Sequence, residues 1–180
     1  MRRRSALLAA LAAAALAAGC GPPKPDGEDG WRVRRLSPKW RYIVIHHSAT
    51  ESGCFARFDK FHRENRGWEN GCGYHFVIGN GTDTEDGQVE VTPRWRRQLH
   101  GAHVGGERNN YCIGICLVGN FEDTRPTKAQ MDALVRLVAY LQETCGIRRR
   151  RVVGHKFFKP TTQCPGARFP WPTLRQRLKP

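Results

Sequence analysis

The stretch RYIVIHHS, residues 41–48, sets the core of the fold. It places a short run of β-branched residues before a polar end, which is typical of a strand that is buried on both faces. His46 stands at the carboxyl end of this run, where a side chain can leave the apolar interior. The stretch therefore predicts a strand inside a sheet, with a histidine presented at one edge of that sheet.

Four further segments extend the predicted sheet. GYHFVIGNG at 73–81 and QVEVTPRW at 88–95 are predicted to form a hairpin, because a glycine-rich turn signal separates them. CIGICLVGNF at 112–121 is apolar almost throughout, which favours a central strand. RVVGH at 151–155 predicts a fifth strand.

Helices are predicted between these strands. Aromatic residues at helical spacing indicate a helix in 55–65, and WPTLRQRL at 171–178 predicts a short closing helix. Thr127 and Gln130 have the spacing of a capping box, and Gly146 ends the apolar stripe that follows. The pattern predicts one mixed α/β (α+β) domain, in which helices flank a central mixed sheet.

The amino terminus predicts export rather than folding. Arg2, Arg3 and Arg4 precede an apolar run that is too short to span a bilayer, so residues 1–19 are interpreted as a signal peptide. The stretch LAAGC resembles a bacterial lipoprotein signal, in which Cys20 is lipidated. Residues 20–38 are then a lipidated, flexible tether, and residues 39–180 the folded domain. We expect a membrane-anchored protein, at the periplasmic face of the outer membrane by analogy with such lipoproteins.

The chain is strongly basic, with a formal net charge of +14. A basic exported protein meets anionic cell-wall polymers before it meets nucleic acid, and no aromatic-basic interleaving of the RNA-binding kind is present. We therefore expect no nucleic-acid partner, and we expect a monomer. The arginine run at 148–151 is compatible with either a solvated loop or a binding role.

The seven cysteines leave several pairings open. If Cys20 carries lipid, six remain in an oxidising compartment. Cys164 is then half of a disulfide, a buried thiol or a metal ligand. If it is a ligand, five remain, and at least one further thiol must stay free. Cys112 and Cys116 lie on one face of a predicted strand, too far apart to bridge each other.

Three residues at or just beyond the ends of apolar strands are candidate metal ligands: His46, His155 and Cys164. Two imidazoles and one thiolate suit Zn²⁺. Three protein ligands leave a fourth coordination position open, which is typical of a catalytic zinc site. His47 is expected to face the opposite side of its strand and to be structural.

Six stretches occur in the order and spacing of a known family: IVIHHSAT, GYHFVIGNG, HGAHVGG, IGICLVGNF, VVGH and TTQCPG. Between residues 41 and 171 the chain resembles the type 2 zinc-dependent N-acetylmuramoyl-L-alanine amidases, which include peptidoglycan recognition proteins. The resemblance implies zinc binding by His46, His155 and Cys164. It also implies that Tyr74 and Thr162 act on the reacting carbonyl.

The resemblance further implies that His103 lines the substrate groove. The implied activity is hydrolysis of the amide between N-acetylmuramic acid and L-alanine, in peptidoglycan or muropeptides. The alternative is a peptidoglycan-binding lipoprotein without activity, because some members have lost the cysteine ligand; the presence of Cys164 argues against it. A basic polyanion binder is a second alternative. The chain departs from some members in having Cys116, and no carboxylate, near the fourth strand.

Overall fold

The computed structural model describes residues 28–180, so the expected signal peptide and Cys20 lie outside the described residues. The sheet contains five strands: β1 (Tyr42–His47), β2 (Phe76–Ile78), β3 (Val89–Val91), β4 (Cys112–Leu117) and β5 (Val152–Gly154). The α-helices are α1 (Glu28–Trp31), α2 (Phe55–Arg66), α3 (Pro93–Arg96), α4 (Lys128–Cys145) and α5 (Trp171–Arg177). Short 3₁₀ helices cover Gly106–Asn110, Arg149–Arg151 and His155–Phe157.

The strands run in the order β3-β2-β4-β1-β5, so β4 and β1 are central as expected. Only the β2–β3 pair is antiparallel, and the other three pairs are parallel. The carboxyl ends of four strands therefore meet at one edge of the sheet. This confirms the predicted mixed sheet with its flanking helices.

The two faces of the sheet have different roles. Ile43 and Ile45 of β1 point to one face and pack with the apolar stripe of α4 in the main core. Alternate residues point to the other face, where Val44 belongs to a much smaller cluster with Cys112 and Val153. The alternation is the ordinary pleat of a strand, which sends neighbouring side chains to opposite faces.

Helix α4 confirms the predicted capping box. The Thr127 hydroxyl accepts a hydrogen bond from the Gln130 backbone N–H, and the Gln130 side chain accepts one from the Thr127 backbone N–H. Gly146 ends the helix with a φ of 65°, a left-handed conformation that favours glycine. The buried residues of the helix include Leu134, Leu137, Val138 and Leu141.

Both strands of the predicted hairpin are shorter than the segments that predicted them, and β2 covers only Phe76–Ile78. QVEVTPRW forms a strand only over Val89–Val91, because the Thr92 hydroxyl accepts from the backbone N–H of Arg94 and starts helix α3. Pro93 occupies the first position of that helix, where its missing N–H costs nothing.

The packed part of the chain begins ahead of residue 39. Trp31 is only 3% exposed, and its carbonyl accepts a hydrogen bond of 2.7 Å from Nε1 of Trp95. Whether residues 20–38 act as a tether stays a prediction, but any tether to this domain ends before Trp31. None of the helices within residues 28–180 is both long and apolar enough to cross a membrane.

Candidate metal centre

His46, His155 and Cys164 converge at the edge where the parallel strands end. Ile45 of β1 is paired with Gly154 of β5, so the residues that follow them stand side by side. The ring centroids of His46 and His155 are 4.7 Å apart. One ligand atom from each of the three residues lies within 4.8 Å of the others.

The loop that carries Cys164 is held against both strands. The Cys164 carbonyl accepts from the Lys156 backbone N–H at 3.0 Å, and its sulfur accepts from the His47 backbone N–H at 3.4 Å. Gly154 is required where the loop approaches β5, because a Cβ there would lie 2.7 Å from Cδ of Pro165. Cys164 is a free thiol, and burial raises its pKa to about 12.

The geometry of this cluster fits zinc. The sulfur of Cys164 lies 3.6 Å from Nδ1 of His46. A tetrahedral zinc with its usual bond lengths holds a nitrogen and a sulfur ligand about 3.6 Å apart. His46 and Cys164 are buried and His155 is half-buried, so the cluster is sheltered on one side and approachable on the other. The donor set and the His46–Cys164 separation therefore suit a three-ligand zinc site.

The second ring nitrogen of His46 contacts another imidazole. Its Nε2 lies 2.9 Å from Nδ1 of His103, and Nε2 of His103 lies 3.2 Å from the carbonyl oxygen of Cys112. Burial is the main cause that lowers the pKa of His46 well below its usual value, and it lowers the pKa of His103 to about 3. His103, expected to line the substrate groove, is only 8% exposed; its substrate contact stays a prediction.

Tyr74 lies beside the candidate ligands. Its ring centroid is 5.2 Å from that of His46. Burial raises the pKa of Tyr74 well above its usual value, and the nearby thiols of Cys116 and Cys164 raise it further. The hydroxyl therefore remains protonated at neutral pH and can donate a hydrogen bond; here it is hydrogen-bonded with the Cys116 side chain.

Thr162 is half-buried on the Cys164 loop. Its hydroxyl oxygen accepts a hydrogen bond of 3.2 Å from the Cys164 backbone N–H. The side chain thus supports the loop of a candidate ligand, a contact that the sequence did not indicate.

The remaining histidines are separate from the cluster of ligand atoms. His47 faces away from it, as expected, and its Nδ1 accepts from the Phe121 backbone N–H at 3.0 Å. His75 is completely buried; its Nδ1 accepts from the Gly114 N–H and its Nε2 contacts the Leu99 carbonyl. The position of His75 at the start of a predicted strand did not by itself predict this structural role.

Comparison with known proteins agrees with the resemblance found in the sequence. Residues 36–167 match a family described as N-acetylmuramoyl-L-alanine amidase. Peptidoglycan-recognition protein LB of Drosophila melanogaster is 31% identical in an alignment of 143 positions that covers 71% of this chain and 55% of that relative. The matched region therefore spans little more than half of that relative.

Two solved structures have similar folds. The N-acetylmuramoyl-L-alanine amidase LysC from Clostridium intestinale URNW superposes with a TM-score of 0.67 and 30% identity, covering 81% of this chain and 91% of LysC. A Tyr-to-Phe variant of Drosophila PGRP-LB, solved with tracheal cytotoxin, superposes with a TM-score of 0.60 and 25% identity. That match covers 79% of this chain and 88% of the variant.

The buried histidines predict a pH-dependent stability. Burial lowers the pKa of His75 well below its usual value, whereas the unfolded chain binds this proton at about pH 6.5. The unfolded state thus binds more protons below about pH 6.5, so acidification lowers the free energy of unfolding, by up to about 1.4 kcal/mol per pH unit for each such histidine. We expect His75→Gln, which keeps a donor and an acceptor, to make this dependence shallower in urea unfolding of metal-free protein.

His100→Gln is the matched control, because His100 is exposed. We expect it to leave the pH dependence unchanged. A dependence as steep in His75→Gln as in the unaltered protein would contradict the assignment of His75 as a buried neutral histidine.

Proposed function

The chain belongs to the N-acetylmuramoyl-L-alanine amidase family, and from that premise we propose that it is a zinc-dependent hydrolase of the amide between N-acetylmuramic acid and L-alanine. The observation that carries the proposal is the cluster of His46, His155 and Cys164, in which the His46 nitrogen and the Cys164 sulfur have the separation expected around zinc. A site with three protein ligands leaves one coordination position for chemistry.

The roles of the residues follow from this arrangement. His46, His155 and Cys164 would hold zinc, which when bound supplies a Lewis acid and activates a water nucleophile at neutral pH. Tyr74 lies next to His46 and keeps its proton, so it can donate a hydrogen bond to the carbonyl oxygen as negative charge develops there. Thr162 supports the Cys164 loop and is the second hydroxyl proposed to act on that oxygen.

The proposed substrate is peptidoglycan or a muropeptide released from it. A structural neighbour was solved with tracheal cytotoxin, and the cluster here is approachable from the side of the half-buried His155. The positive charge of the chain favours an anionic polymer.

A peptidoglycan-binding protein without activity is the competing function, since several relatives are named for recognition rather than hydrolysis. Cys164 favours the enzyme, because a binding module has no need for a free thiol 3.6 Å from an imidazole nitrogen. Zinc content alone separates the two functions only in part, so the tests below also measure product.

Replacement of Cys164 by alanine tests the proposed zinc site. We expect Cys164→Ala to lose bound zinc and to lower amidase activity by orders of magnitude, because the activated water is lost with the metal. Zinc per chain is measured by elemental analysis, and the release of L-alanyl peptide from a defined muropeptide by mass spectrometry. Cys145→Ala, at the carboxyl end of α4, removes a half-buried free thiol and should change neither. Full activity of Cys164→Ala would overturn the proposed function.

Replacement of the Tyr74 hydroxyl tests the proposed oxyanion contact. We expect Tyr74→Phe to lower kcat by about 10²–10³-fold, as loss of one oxyanion donor does elsewhere, with zinc content unchanged. Tyr111→Phe is the control, since Tyr111 is half-buried in a separate cluster. Thr162→Val should lower turnover as well, with some loss of zinc affinity because its hydroxyl supports the Cys164 loop. Normal turnover in Tyr74→Phe would remove that residue from the mechanism.

We also propose that the protein is exported and lipid-anchored, from LAAGC and the segment that follows it. Cys20→Ser should then move the protein from the membrane fraction to the soluble fraction, measured by sedimentation of lysed cells and detection of the chain. Export itself should persist, because the apolar leader is intact. Unchanged sedimentation with membranes would contradict the anchor.

A further inference from the structure

The ring of His103 packs closely against two glycines. A Cβ at Gly101 would lie 2.4 Å from Cδ2 of His103, and a Cβ at Gly114 would lie 2.7 Å from the same atom. Both glycines are therefore needed for the ring to fit. The side-chain oxygen of Asn109 accepts from the backbone N–H groups of His103 and Val104, at 2.9 and 3.0 Å, and fixes the loop that carries the ring.

The hydrogen bonds of His103 determine which ring nitrogen carries the proton. The Cys112 carbonyl oxygen can only accept, so Nε2 of His103 must donate to it. A neutral imidazole has one N–H, and His103 is only 8% exposed, where a charged ring would be costly. Its Nδ1 is therefore an acceptor, and it faces Nε2 of His46 at 2.9 Å.

The same logic fixes the proton on His46. Because Nδ1 of His103 accepts, Nε2 of His46 must be the donor. The remaining nitrogen, Nδ1, then keeps its lone pair and faces the sulfur of Cys164 at 3.6 Å. The opposite assignment would set a lone pair of His103 against the lone pairs of the Cys112 carbonyl, or would require a charged imidazolium in a buried site.

We infer that His103 is a positioning residue, which holds the His46 ring in the tautomer and orientation that present Nδ1 to a metal ion. The two hydrogen bonds form a chain from the Cys112 carbonyl through His103 to His46. A hydrogen bond on the second nitrogen of a ligating imidazole fixes its tautomer and raises its basicity. The inference rests on the proposed function, because the metal is zinc only if the three-ligand site binds it.

The first test needs no metal and no variant. In purified protein with isotope-labelled histidine, kept metal-free with a chelator, we expect a nitrogen–nitrogen scalar coupling across the hydrogen bond from His46 Nε2 to His103 Nδ1. The His103 ring should show a proton on Nε2. A proton on Nδ1 of His103, or no coupling to His46, would overturn the inference whatever the protein catalyses.

The second test measures zinc affinity by competition with a chromogenic chelator. We expect His103→Leu to weaken zinc binding by about 10–100-fold, the usual effect of losing such an orienting partner. His103→Asn should recover part of the loss, because its amide oxygen can replace the Nδ1 acceptor. The control is His75→Gln, which alters a neighbouring buried histidine with no hydrogen bond to His46 and should keep the original affinity.

The outcomes separate this inference from the proposed function. If the unaltered protein binds no zinc, the proposed function fails, while the coupling measurement still decides the tautomer. If the unaltered protein binds zinc and His103→Leu binds it equally well, the positioning role is wrong and the zinc site stands. An equal loss of affinity in His103→Leu and His75→Gln would mark a general packing effect and would also overturn the inference.

Discussion

The parallel pairing of β1 with β5 is the constraint on which the candidate site depends. Ile45 is paired with Gly154, and each is followed by a histidine, His46 within β1 and His155 just beyond β5. A shift of the register by one residue would turn one of these side chains to the opposite face of the sheet. The hydrophobic alternation of β1 prevents such a shift, because Ile43 and Ile45 would leave the main core. Packing of the core therefore also places the two imidazoles beside each other.

The site places three polar imidazole side chains in the interior of a small domain. His46, His75 and His103 are all buried, and each buried imidazole costs free energy unless its nitrogens are hydrogen-bonded. Backbone groups meet this requirement for His75, and His103 connects its neighbour to a backbone carbonyl. Of these three, His46 alone has a nitrogen that faces another candidate ligand, and this distinguishes it from the other two buried histidines.

Local patterns predicted most of the secondary structure, and tertiary contacts account for what they missed. The capping box at Thr127 and the apolar runs of β1 and β4 are local signals, so the sequence alone was enough to predict this helix and these strands. The end of β3 depends on whether Thr92 caps a helix. The alternation of apolar residues does not show whether the chain continues as a strand or starts a helix at this residue. The orienting contact of His103 joins residues 57 positions apart, and only the folded loop brings them together.

Stability and chemistry are assigned to opposite faces of the sheet. The main core lies on the α4 face, where Leu134 and Leu137 pack against the sheet, whereas the site face holds only small clusters around Val44 and Val77. Apolar burial on the α4 face is the larger source of stability, since the stabilisation grows with the area removed from water. Side chains on the site face are therefore free to meet chemical requirements such as a buried thiol or a neutral imidazole. Hydrogen bonds within the site offset the desolvation of those polar groups. For this reason the orientation of His46 depends on its immediate partners rather than on the core.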